Sequence, residues 1–274
     1  MRFIKSSFYL IFFIVVLSHY TPTSAQNFKS LCSVEINNID KSTVDFSGNI
    51  YVTSSNGDIR KFNNRCEEVL TFSPTKTGQV KQIDIWSQFK IFGFYENLQE
   101  YIILDRFLTS PIRYDFYNLE LGYVSNATLN FQQNIWVIDE SDFTLKLINI
   151  EQQSIITNQP LNQFLDISNH QITHIKEYKG KLYITDAVSG ILIFDSFGNY
   201  IDRIDAKNAH SINFDSDNFT YFRNGDFIEI NLNSLEINTL NAPKGNYNTI
   251  LKKNDIFYTI SNDELEIYQY LRTE

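Results

Sequence analysis

Four histidines, two cysteines and no basic tract characterise this 274-residue sequence by what it withholds. Lys and Arg number 23 against 32 Asp and Glu, leaving a formal charge of −9 with the signs intermixed along the chain. Binding phosphates requires a basic face, and none is visible, so nucleic acid is excluded as a partner. An anionic lipid surface would require a polybasic run, which is also missing. No segment carries a helical period, so helix is expected to be almost absent. No apolar stretch, the N-terminal one included, reaches the ~20 residues that a transmembrane helix needs. The chain also lacks a Gly-x-Ser-x-Gly elbow, a phosphate loop, a Cys-His nucleophile pair and an Asp-x-Asp-x-Asp-Gly calcium loop. No cofactor is expected.

The N-terminal run reads as a removable signal. Arg2 and Lys5 supply a basic start, Phe8 to Leu17 an apolar core, and Thr23-Ser24-Ala25 the small residues preferred at a cleavage site. An apolar run of about ten residues is too short to be a membrane anchor. No cysteine follows it closely, which argues against a lipoprotein signal. The expected organisation is a signal peptide over residues 1–25 and one domain over 26–274. A mature chain with no transmembrane span would be periplasmic or secreted.

Within that domain, an apolar, aromatic-bearing strand recurs six times, each followed by a polar turn and a second alternating strand. Clear copies are Gly48 to Thr53 with Asp58 to Phe62, Asn134 to Asp139 with Thr144 to Ile148, and Lys181 to Asp186 with Gly190 to Phe194. Asn218 to Phe222 with Asp226 to Ile230 and Asp255 to Ile260 with Glu264 to Tyr268 continue the series. Phe89 to Phe94 with Glu100 to Leu104 is the most degenerate copy. Anchors at Phe62, Leu104, Ile148, Phe194, Ile230 and Tyr268 are spaced by 36 to 46 residues. Such a period with several strands per unit predicts an all-β, six-bladed β-propeller. Asn56-Gly57, Asn224-Gly225 and Gly198-Asn199 supply the turn chemistry between strands.

The last copy ends without an outer strand. The alternating segment Cys32 to Ile36 ahead of the first copy can fill that place, closing the ring by an N-terminal strand in the last blade and hiding two strand edges. Cys32 would then sit at the seam, near the blade that carries Cys66. Two reduced core thiols are one reading of this pair. A disulfide is the simpler one in an oxidising compartment and is worth roughly 3–4 kcal/mol. No histidine lies near either cysteine in sequence, so a metal is not expected there.

The copy Lys181 to Asp186 with Gly190 to Asp195 and Gly198-Asn199 resembles the repeat of six-bladed NHL/TolB-like propellers. Those repeats run as an aromatic strand ending in Asp, a variable turn, an apolar strand and an Asp-x-x-Gly turn. The resemblance extends over most of the mature chain and is specific in the third and fourth copies. It implies the fold, with functions from protein-binding scaffolds to hydrolases and lyases. The Asn-, Ile- and Lys-rich composition behind such a signal looks like secreted or periplasmic propellers of Bacteroidota.

Enzymes of lactonase-like propeller type hold a central metal with polar residues at the start of the innermost strands. Counting back from the aromatic strands places Ser42, Ala127, His174, His210, Ser211 and Asn248 along the channel. Alanine and serine are poor ligands, so His174 and His210 are the one candidate pair, and no metal is expected. His170 precedes His174 by four residues, a spacing that means little outside a helix. Asp139, Asp186 and Asp195 end strands and either bind calcium or cap turns, with capping the commoner role. Asn126-Ala127-Thr128 and Asn218-Phe219-Thr220 match glycosylation sequons. Phe94, Tyr95, Tyr114, Phe116, Tyr117 and Tyr123 crowd the second-to-third blade region, as core or as anchors for a partner. The leading expectation is a non-enzymatic protein-binding scaffold. One form of it is a subunit of an outer-membrane secretion or envelope complex. The alternative is a metal-dependent hydrolase or lyase.

Overall fold

The computed structural model describes residues 27–271 except 88, 89, 110 and 118. The signal segment expected at 1–25 lies outside the described residues. Six four-stranded antiparallel sheets are arranged as propeller blades. Blades 1 to 5 run through residues 39–72, 82–115, 124–160, 172–204 and 210–240, with strands ordered from the axis outward as they occur in the chain. Each expected anchor falls on the third strand of its blade.

Blade 6 is composite. Its three inner strands span residues 249–270, and its outer strand is the N-terminal segment Phe28–Glu35, paired antiparallel to Glu264–Tyr270. The ring is thus closed as the alternation of Cys32 to Ile36 predicts, by a strand that starts earlier, at Phe28, and ends at Glu35. Cys32 is disulfide-bonded to Cys66 with Cα atoms 5.9 Å apart. Cys66 lies in the turn between the third and outer strands of blade 1, so the bond ties the last blade to the first.

The core lies between blades rather than in one centre. Second strands such as Ile135–Asp139 and Lys90–Tyr95 are buried almost throughout, because neighbouring blades cover both faces. That explains Phe94, Tyr95 and Phe116. All three are core residues, and Phe116 packs on Phe94 at 5.9 Å and Tyr101 at 5.5 Å. They are closed to any partner. Tyr114 is half-buried and stacked on Tyr101 at 4.8 Å. Tyr117 and Tyr123 remain at the surface.

The aspartates that end strands cap turns. Asp139 accepts the N–H groups of Gly122 and Ser141, each at 3.0 Å. Asp186 accepts those of Gln171 and Ser189 at 2.5 and 2.6 Å, and Asp195 those of Phe197 and Asn199 at 2.8 Å. Asp139 also holds the buried Lys146 ammonium at 2.6 Å, which Asp142 shares at 2.7 Å.

Candidate functional site

All inner strands run the same way along the axis, so the disc has two chemically distinct faces. Interblade loops open on one, here called the loop face. Turns joining first to second and third to outer strands open on the other, the turn face. Each face has an axial cavity, and His174 and Ile212 line both, marking the level at which the two approach.

The loop-face cavity measures about 580 Å³. Ser42, His174, His210, Ser211 and Asn248 line it, together with Asp40, Lys41, Lys81, Gln82 and Thr173. Inner strands of blades 1, 3, 4 and 5 carry a register shift at this end, which re-aims the side chains there. Burial lowers the pKa of His174, a trend that Asp84 opposes and Lys176 and Lys41 reinforce. Burial lowers that of His210 as well. The His210 Nδ1 lies 3.1 Å from the Ser211 hydroxyl, on a residue whose φ is +56°. His170 does not join them; it pairs with Glu140 at 3.2 Å and packs on Phe143.

Ala127 is not on the channel. Every residue of the blade 3 inner strand, Val124–Leu129, is buried, and Ala127 packs with Val124, Ile135 and Val137. The cause lies in the blades on either side. The Gln82 side chain of blade 2 donates to the Ile175 carbonyl at 2.6 Å and accepts the Ile175 N–H at 3.2 Å. Lys176 of blade 4 reaches back to Asp84 at 3.1 Å. Blades 2 and 4 therefore bridge in front of blade 3 and screen it from the axis. Asn126 is buried with it, which closes that sequon in the folded chain. Among the described residues, no three His, Cys, Asp or Glu side chains converge as a metal site.

The turn face is built differently. Its first-to-second turns in blades 1 and 3 read Asp45-Phe46-Ser47-Gly48-Asn49 and Asn130-Phe131-Gln132-Gln133-Asn134. Its third-to-outer turns in blades 2 and 4 read Asp105-Arg106-Phe107-Leu108-Thr109 and Asp195-Ser196-Phe197-Gly198-Asn199. In each, the leading Asx oxygen accepts the N–H groups two and four residues on, at 2.8–3.0 Å. The fourth residue takes a positive φ: Gly48, Gln133, Leu108 and Gly198 lie between 56° and 86°. These four clamped turns lift a phenylalanine to the tip, whereas the same clamp at Asn63 to Glu67 of blade 1 presents Asn64 and Arg65. Phe46, Phe107, Phe131 and Phe197 are 55, 54, 71 and 74% exposed, and Leu235 in the blade 5 turn is 67% exposed.

Around the axis, side chains of one blade bond to strands and turns of a neighbouring blade. Trp86 donates to the Asn130 carbonyl at 2.7 Å, Trp136 to Glu177 at 2.7 Å, Tyr178 to the Ser216 carbonyl at 2.7 Å, and Tyr258 to the Gly48 carbonyl at 2.8 Å. Lys253 binds Asp215 at 2.6 Å. The aromatic signal for this face was present in sequence as an Asx followed within two residues by phenylalanine. Counting aromatics per blade, as in the stretch from Phe94 to Tyr123, misses it.

No protein-family model and no curated protein matches this sequence. Among solved structures, the chain is similar to virginiamycin B lyase from Staphylococcus aureus at 13% identity, covering 88% of this chain and 99% of that one, with a TM-score of 0.60. It is likewise similar to the Neurospora crassa Pan2 WD40 domain at 8% identity, covering 90% and 96%, with a TM-score of 0.60. BamB from Moraxella catarrhalis aligns at 10% identity over 90% and 99%, with a TM-score of 0.52. At these identities the likeness is one of fold.

Proposed function

We propose that this chain is a non-enzymatic, extracytoplasmic β-propeller that docks a protein partner on its turn face. The observation that carries this is the gathering of Phe46, Phe107, Phe131, Phe197 and Leu235 on one face, each more than half exposed. Large aromatics on a pre-ordered surface are what binding hot spots are made of, and a soluble monomer gains nothing from exposing them. The clamped turns reduce the ordering cost of association. The disulfide and the signal-like N-terminus favour a periplasmic or secreted location, where an envelope complex is the partner assembly envisaged. A photo-crosslinking residue in place of Phe107 or Phe197, set against one in place of Tyr117, tests the reading in producing cells. A discrete adduct is expected from the turn-face positions, whereas adducts from Tyr117 alone would overturn it.

A second reading, a hydrolase or lyase acting in the loop-face cavity, is favoured by His174 and His210. Both have lowered pKa values and are therefore neutral at pH 7, the state required of a general base. The fold is shared with a solved virginiamycin B lyase. A metal-dependent version would draw on these two histidines. Stoichiometric zinc or calcium in purified protein would support it, and indifference to chelators would count against it.

A further inference from the structure

At the centre of the turn face lies a cavity of about 310 Å³ whose composition differs from that of the surrounding surface. Five blades each contribute one aromatic ring to it: Phe46, Trp86, Phe131, Tyr178 and Phe214. Blade 6 contributes Lys253 instead. The hydrogen bonds of Trp86 to Asn130 and of Tyr178 to Ser216 fix those two rings by their polar ends.

The charges of the cavity are already matched within the protein. Lys176 pairs with Asp84, Lys253 with Asp215, Lys179 with Asp217, and Asp45 with Lys61. Glu177 stands apart. Its carboxylate takes the Trp136 N–H at 2.7 Å, and burial pushes its pKa up. A strongly charged ligand would have to compete with these internal partners. A purely apolar one would strip water from Lys176, Asp84, Asn213 and Glu177 without replacing their hydrogen bonds. What satisfies both is a neutral ring with hydroxyls at its edge and C–H groups on its face, because aromatic faces attract partial positive charge. The volume is at the small end of the roughly 300–1,000 Å³ typical of ligand sites.

We propose that this axial cup binds neutral carbohydrate, taking one or two sugar rings. The proposal does not require the protein-docking reading: Phe46 and Phe131 serve both, whereas Phe107, Phe197 and Leu235 belong to the docking reading alone and lie outside the cup. Phe46 and Phe131 are exposed enough for truncation to spare the fold. A glycan array spanning neutral, sulfated and uronate saccharides, probed with the purified mature protein, tests it. Hits are then titrated by tryptophan fluorescence, since Trp86 lines the cup and Trp136 touches its Glu177. Cellobiose, maltose and N,N′-diacetylchitobiose serve as the first soluble probes. The expected result is saturable binding of a neutral saccharide, insensitive to salt and weakened about tenfold in F46A and F131A, as loss of one aromatic contact implies. F107A and F197A should bind with unchanged affinity. No neutral saccharide bound, binding unaltered in F46A and F131A, or salt-sensitive binding of acidic glycans alone would each overturn the proposal. If the partner's own side chain fills the cup instead, F46A and F131A would weaken the protein complex while no saccharide binds.

Discussion

On the turn face, Phe46, Phe131, Phe107 and Phe197 ride on five-residue turns, each clamped by a single Asx side chain. On the loop face, the blades are joined by segments of unequal length, with register shifts and partly desolvated histidines beside them. Both surfaces arise from the same repeat, and they differ because different parts of it are free to vary. A turn that must reverse direction within five residues has little latitude in backbone, so its tip is held in one geometry wherever it recurs, whether it carries phenylalanine or, as at Asn63 to Glu67, Asn64 and Arg65. An interblade loop only has to reach the next inner strand. The rigid face is therefore the one suited to recognition by shape, and the irregular face the one suited to a single specialised pocket.

Each face has its own anchor, and removing these anchors gives the largest effects. On the loop face, Lys146 is 4% exposed and binds Asp139, whose pKa burial tends to raise but hydrogen bonds from Lys146, Gly122 and Ser141 hold below the usual carboxylate range. K146A strands that carboxylate, and chemical denaturation should report a loss of about 3–5 kcal/mol. On the seam, reducing the Cys32–Cys66 bond or substituting both cysteines should cost roughly 3–4 kcal/mol and lower the melting temperature by on the order of 10 °C. An unchanged melt would mean that the strand pairing of blade 6 closes the ring unaided.

A pair of glycines then separates backbone from packing. A Cβ at Gly198, on the turn face, would lie 2.7 Å from Thr157 Cγ2 and 3.5 Å from Trp136. One at Gly225, on the loop face, meets nothing within 4 Å. Both have positive φ, so each alanine carries a left-handed penalty of about 1–2 kcal/mol, and G198A should exceed G225A. Equal losses would show that the turn-face packing is soft. The smallest effect concerns acid. The native pKa values of His174 and His210 lie below that of an unfolded histidine, so the unfolded chain takes up protons first as pH falls through about 6.5. Stability is then fully present above that pH and declines below it. H174N should flatten the decline measured by melting between pH 7 and 5.

The fold was legible because the repeat fixes strand length and turn chemistry together: Phe62, Leu104, Ile148, Phe194, Ile230 and Tyr268 all fall on third strands. Alternation in Cys32 to Ile36 was enough to reveal the closing strand, though not its start at Phe28. Channel positions were legible only where inner strands approach the axis alike. In blade 3 the count from Trp136 lands on Ala127, but Gln82 and Ile175 bridge across it, a contact 93 residues apart in sequence that no local pattern carries. The aromatic stretch from Phe94 to Tyr123 misled for a related reason. Lys90–Tyr95 is a second strand with both faces covered, and composition does not distinguish such rings from those lifted on a turn.

The sharpest test compares the two faces directly in the intact envelope. A turn-face variant, F46S/F107S/F131S/F197S, and a loop-face variant, Y117S/Y123S/I167S, replace side chains that are all at least 45% exposed and should melt close to the parent chain. Native electrophoresis of gently solubilised envelope should show the parent and the loop-face variant in the same large complex and the turn-face variant as free monomer. A turn-face variant that stays in the complex while the loop-face variant leaves it would contradict the account.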